Sequence, residues 1–153
     1  MRTLATFSVD GRVFGVEVTR VREVTRSGEV TPVPLAPEAV AGLMNLRGQI
    51  VTALDLRTRL GLPARAPEER PMHVLVDGPG GTVSLQVDRV GEVQAIDEAS
   101  LERPPATLHG PARDLIVGAH ALEGALVLEL DLDRTIDVGG QRTGMRENEG
   151  DRP

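Results

Sequence analysis

The chain contains no cysteine, which closes off thiolate nucleophiles, disulfides, zinc ribbons and iron–sulfur ligation. Lysine is missing too: all 17 basic residues are arginine, so a Walker lysine, a Schiff base and a Ser-Lys dyad are excluded. There is no tyrosine or tryptophan, and Phe7 and Phe14 alone leave almost no platform on which bases or sugars could stack. A formal charge of −6 makes nucleic-acid phosphate an unfavourable partner. The most apolar late segment, Leu115–Leu132, is interrupted by His120, Glu123, Glu129 and Asp131 and cannot span a membrane as a helix. Met1–Phe7 lacks the unbroken apolar stretch of a signal peptide, so a cytoplasmic protein with no direct membrane contact is expected.

What is present suits one domain, or two small lobes folded together: 153 residues, 40% hydrophobic and 26% charged. Val, Ile and Thr supply 34 of the residues, in short runs punctuated by Gly and Pro, which points to sheet. Val83, Leu85 and Val87 alternate with Ser84, Gln86 and Asp88, and Leu126, Leu128, Leu130 and Leu132 alternate with Val127, Glu129 and Asp131. Asp10-Gly11 and Asp77-Gly78 are placed as hairpin turns. Short helices are expected near Asp55–Leu60 and Asp131–Ile136, each N-capped by its aspartate. The reading is a mainly β fold with a few short helices.

The chain also repeats itself. Gly42–Leu56 overlays Gly118–Leu132 without a gap, at an offset of 76 residues (42 to 118), with Gly42/Gly118, Leu46/Leu122, Gly48/Gly124, Val51/Val127, Leu54/Leu130, Asp55/Asp131 and Leu56/Leu132 identical. Val18–Val24 resembles Val87–Val93 at an offset of 69 (18 to 87), and the seven residues gained between blocks are assigned to Ala99–Asp114, read as a long Pro-rich loop. Two related β lobes follow, lobe 1 about 1–64 and lobe 2 about 65–137, with an exchange of strands at the N-terminus left open and 138–153 read as a disordered tail.

The candidate sites separate by context. His73, His109 and His120 show no ligand spacing, and no metal site is expected. Asp55 and Asp131 occupy equivalent places, as a two-carboxylate hydrolase would require, but lack the turn glycine and hydroxyl of such sites; as N-caps they satisfy free amides. The serines lack a Gly-x-Ser-x-Gly setting, and Asp77–Gly81 lies between strands, where a hairpin tip explains it better than a phosphate loop. Gly48, Gly124, Asp55 and Asp131 are therefore turns and caps. Met44–Gly48 differs, because Asn45 faces Ala121 and Arg47 faces Glu123 in the overlay, so lobe-specific work falls there. A displayed guanidinium suits carboxylates.

Around this hairpin, Gly42-Leu-Met-Asn-Leu-Arg-Gly-Gln-Ile-Val-Thr-Ala-Leu-Asp-Leu-Arg57 resembles the signature of the CheW-like family, bacterial chemotaxis coupling proteins. Gly15–Val24, Thr31–Pro37, Val83–Val93 and Gly118–Ile136 match the family in order, so the resemblance runs from about Thr6 to Ile136. It implies a single CheW-like domain over 1–137, made of two five-stranded SH3-like barrels packed together. It also implies a non-enzymatic adaptor, without cofactor, linking the cytoplasmic helical hairpin of a chemoreceptor to the regulatory domain of a CheA-type histidine kinase, or serving a pilus, gliding or developmental pathway. By position, Val21, Glu23, Gly42, Asn45 and Arg47 correspond to the receptor-facing groove, and Val83, Leu85 and Val87 to the kinase contact near Val83–Val93.

Overall fold

The alternating runs form strands, and residues with positive φ stand where those strands reverse. The computed structural model describes residues 2–26, 28–122 and 124–138. In chain order these form β1 (Arg2–Val9), β2 (Arg12–Glu17), β3 (Val21–Thr25), β4 (Val30–Thr31), β5 (Val40–Leu46), β6 (Gln49–Asp55), α1 (Leu56–Arg59), β7 (Met72–Gly78), β8 (Gly81–Val87), β9 (Arg89–Ile96), α2 (Pro111–Leu115), β10 (Ile116–Leu122), β11 (Ala125–Leu130) and α3 (Leu132–Ile136). Asp10-Gly11 (φ 53° and 78°) and Arg47-Gly48 (φ 51° and 87°) form two-residue turns with the handedness that matches strand twist. The second hairpin turns at Pro79-Gly80 rather than at Asp77-Gly78, because Gly78 pairs with Gly81 within the ladder.

The sheets do not follow the division at 64/65. One has the order β3-β7-β8-β6-β5-β4 and the other β10-β11-β2-β1-β9. Each copy of the repeat thus lends its leading hairpin to the other copy's sheet: β7–β8 completes the first, and β1–β2 completes the second. The duplication holds at the level of register. Phe7 pairs with Phe14 as Val76 pairs with Val83, and Leu46 pairs with Gln49 as Leu122 pairs with Ala125. Both sheets join β6 or β11 to the borrowed hairpin in parallel, Leu54 with Leu85 and Leu128 with Phe14. The strand counts are six and five, the extra one being the two-residue β4.

The exchange places apolar faces of both sheets against each other. Phe7, Val9, Phe14 and Val16 share one buried cluster with Leu54, Val74, Val76, Leu85 and Val87 and with Leu128, Leu130 and Ile136. The two phenylalanine rings stack at 6.4 Å between centroids, each ring contributing roughly 1.5–3 kcal/mol by burial. Ala99–Asp114 is less of a loop than its composition suggests: Glu102 bridges to Ala119, and Leu108 and Ala112 are buried. Of the segment read as a tail, Val138 packs against the core, and residues 139–153 lie outside those described.

Where the chain crosses from β8 to β9, Asp88 ties the lobes together. It accepts hydrogen bonds from Arg57 Nη2 at 2.7 Å, Arg65 Nη2 at 2.9 Å and the Asp10 amide at 2.7 Å. Burial by itself would raise this carboxyl; the donors, led by Arg57, outweigh it and hold it at about 2. Its stabilisation is therefore complete above the ordinary carboxyl range near pH 4 and is lost as pH falls through about 2. Asp88→Asn is expected to cost about 2–3 kcal/mol near neutral pH, measured by urea unfolding. The gap to wild type should close towards pH 2 or below; a gap independent of pH would contradict the assignment.

Candidate functional site

The β5–β6 turn curls over one end of the first sheet. Asn45 Oδ1 accepts from the Gly48 amide at 3.0 Å, which fixes the tip. Arg47, with its side chain 71% exposed, reaches back to β3 and donates through both Nη atoms to the Glu23 carboxylate, Nη1 to Oε2 at 3.2 Å and Nη2 to Oε1 closer still. The Arg47 hydrogen bond holds the Glu23 carboxyl below its ordinary range against a smaller opposing effect of desolvation, and Glu23 in turn raises Arg47. The pair spans the rim of a cavity of about 350 Å³, with Arg22, Gln49 and Thr82 around it and the buried Val51 and Leu75 at its base.

Of the residues expected at a receptor-facing groove, only Glu23 and Arg47 meet side chain to side chain. Asn45 is committed to the turn. Val21 is half-buried against the central core, on the opposite face of β3 from Glu23 across a register shift. Gly42 is buried where β4 crosses β5, and a Cβ there would overlap the Thr31 carbonyl, so it sets a backbone approach and presents no surface. The suggested kinase contact is corrected. Leu85 and Val87 are fully buried and Val83 packs against the same core, because β8 is a central strand flanked by β7 and β6.

The turn and cap assignments stand with their geometry. Asp55 accepts from the Arg57 amide at 3.0 Å and Asp131 from the Arg134 amide at 3.1 Å, capping α1 and α3. Gly48 and Gly124 both have positive φ at the two equivalent turns. His73 and His120 are buried strand residues, and no group of three potential metal ligands occurs among the described residues.

Three features escaped the sequence reading. Ile50, 60% exposed, pairs with Asn45, so an apolar side chain sits beside the tip; Leu126, its counterpart in the overlay, is exposed as well. A buried network in the second sheet links Arg2 to Glu129 at 2.8 and 3.0 Å and Glu129 to His120 at 2.9 Å. Burial would raise Glu129, yet Arg2 and His120 keep it below the ordinary range. Its signal was a glutamate amid an apolar alternation. The third feature is a second mouth of about 360 Å³ bounded by Gly91, Glu92, Leu122, Ala125 and Val127, the positions equivalent to Arg22, Glu23, Leu46, Gln49 and Val51. The partner of Glu23 has no arginine equivalent there: the matching position is Glu123, outside the described residues.

Two SH3-like β lobes made by doubling, with a fixed hairpin tip that displays an ion pair at one mouth, have the architecture of a scaffold protein. A family model described as CheW-like domain matches residues 3–139, and the chain belongs to this family of non-catalytic chemotaxis scaffolds. It is 30% identical over 132 residues to a chemotaxis protein CheW of Rhizobium meliloti, covering 86% of this chain and 85% of that one. The CheW of Thermotoga maritima is 27% identical over 132 residues, with the same coverage. The crystal structure of a CheW scaffolding protein from Thermoanaerobacter tengcongensis superimposes with a TM-score of 0.81 at 28% identity, covering 92% of this chain and 96% of the other. No described helix is long and apolar enough to cross a membrane.

Because Gly42 carries a steric constraint and Arg47 an exposed charge, their substitutions should separate. Gly42→Ala is expected to lose about 2–4 kcal/mol of stability, while Arg47→Glu leaves the melting temperature unchanged. Thermal unfolding followed by circular dichroism checks both; an unaltered melting temperature for Gly42→Ala would contradict the close packing of β4 on β5.

Proposed function

We propose that this chain is a non-enzymatic cytoplasmic scaffold that couples the helical hairpin at the cytoplasmic tip of a chemoreceptor to the regulatory domain of a CheA-type histidine kinase. The observation that carries the reading is the Glu23–Arg47 pair on a hairpin tip that Asn45 holds in place, with Ile50 exposed beside it. A guanidinium already oriented by one carboxylate loses little freedom when a receptor helix adds a second acceptor, and the neighbouring apolar side chain offers a helix face its contact. Val21 and Gly42 act beneath this surface, by setting where β3 and β5 lie. The kinase contact is assigned to the second lobe, through the exposed part of Val83–Val93. Val93, 57% exposed on β9, replaces the buried Val83, Leu85 and Val87 in that role. Single contacts of this kind are weak, and arrays of receptor, scaffold and kinase multiply them.

The test is titration of a cognate receptor-tip fragment against wild type, Arg47→Glu and Glu23→Lys. Both variants are expected to keep the wild-type circular dichroism spectrum and to bind at least about tenfold more weakly. Wild-type affinity in both would overturn the receptor assignment.

A further inference from the structure

The doubled fold lets an arginine be compared with its own counterpart. At the first crossing, between β2 and β3, Arg20 donates to the Asp77 carbonyl at 2.7 and 3.0 Å and to Asp133 of α3 at 2.7 Å. At the second crossing the equivalent residue is Arg89, the counterpart of Asp77 is Ser8, and the counterpart of Asp133 is Arg57. Arg57 turns to Asp88 instead, so the acid that satisfies Arg20 has no equivalent for Arg89. The side chain of Arg89 makes no hydrogen bond or ion pair among the described residues, and the same holds for Arg26 beyond β3 and Arg70 before β7. These three exposed guanidiniums come from three segments and surround one open cleft of about 630 Å³. Met72 and Val90, half-buried against the core, form its floor. Asp88 also lines it but is already saturated by Arg57, Arg65 and the Asp10 amide, which leaves Glu69 as the only other acid there among the described residues.

We propose that this cleft receives an acidic segment of a partner protein, with carboxylates on Arg26, Arg70 and Arg89 and an apolar side chain on the Met72–Val90 floor. A basic concavity on a chain of net charge −6 is a local inversion of sign that selects for acid. Guanidinium forks match carboxylates. A compact phosphate would need the forks to converge at the bottom. The most buried arginine of the cleft, Arg65, is held by Asp88 at 2.9 Å, and Met72 and Val90 add apolar lining. No aromatic residue lines the cleft to stack a nucleobase.

The probe is a fluorescein-labelled peptide of repeated Glu-Glu-Leu, titrated by anisotropy against the full chain, with pyrophosphate and ATP as competitors. Wild type is expected to bind the peptide, and binding should weaken as ionic strength rises from about 0.05 M to about 0.5 M. The variant R26E/R70E/R89E should keep its circular dichroism spectrum and lose at least about tenfold in affinity. Arg113→Glu, at an exposed arginine of α2 that does not line the cleft, should bind as wild type. Absence of peptide binding, an equal loss in Arg113→Glu, or displacement of the peptide by pyrophosphate at lower concentration than by unlabelled peptide would overturn the proposal.

Discussion

Neither half of this chain owns a complete sheet. The hairpin β1–β2 stands between β9 and β11 of the second copy, and β7–β8 stands between β3 and β6 of the first. A lobe of this size is marginal alone. The exchange removes that weakness by making the two sheets share strands and by pressing Phe7, Phe14, Val76 and Leu85 into one cluster. Every surface with a proposed role is set by this arrangement: the lobe 1 mouth is closed by β3 and the β5–β6 tip, and the basic cleft opens where the chain crosses between sheets.

The crossings are held by arginine, and the chemistry of guanidinium explains why lysine is not needed. Arg57 and Arg65 engage one carboxylate together, Arg20 spans a carbonyl and a carboxylate, and Arg59 donates to the carbonyls of Arg134, Thr135 and Asp137 at the end of α3. Each contact uses a planar fork with several donors, which a point-charge ammonium does not supply. The copies have diverged here: Arg57 and Asp133 are equivalent positions of opposite sign, yet Arg57 binds Asp88 and Asp133 binds Arg20, whose own equivalents are Thr19 and Arg89. Duplication fixed the geometry and left the charges free to diverge, and that divergence also released Arg89.

Much of the architecture could be read before any coordinates. The β-branched alternation, the gapless overlay of Gly42–Leu56 on Gly118–Leu132 and the capping aspartates describe local chemistry, and the paired registers and N-caps follow from it. Which hairpin joins which sheet is decided by long-range burial, and no residue near 64 announces it. For the same reason Val83, Leu85 and Val87 gave the alternation of a half-exposed strand while lying in a core that both sheets build. Glu23 and Arg47 are legible as candidates from their positions in the sequence, but their meeting across the mouth depends on β3 and the β5–β6 tip converging from opposite ends of the sheet order through its curvature. The arginine cleft draws on segments separated by dozens of positions and left no motif.

The central claim is that the reciprocal exchange makes both lobes one cooperative unit, on which the docking surfaces depend. Native-state hydrogen exchange on the amides of Phe7, Phe14, Val76 and Val83 measures this directly. The account predicts one common opening free energy for all four, equal to that of global unfolding. Protection that persists in one hairpin at denaturant concentrations where the other has opened would show that the lobes unfold separately, and would contradict it.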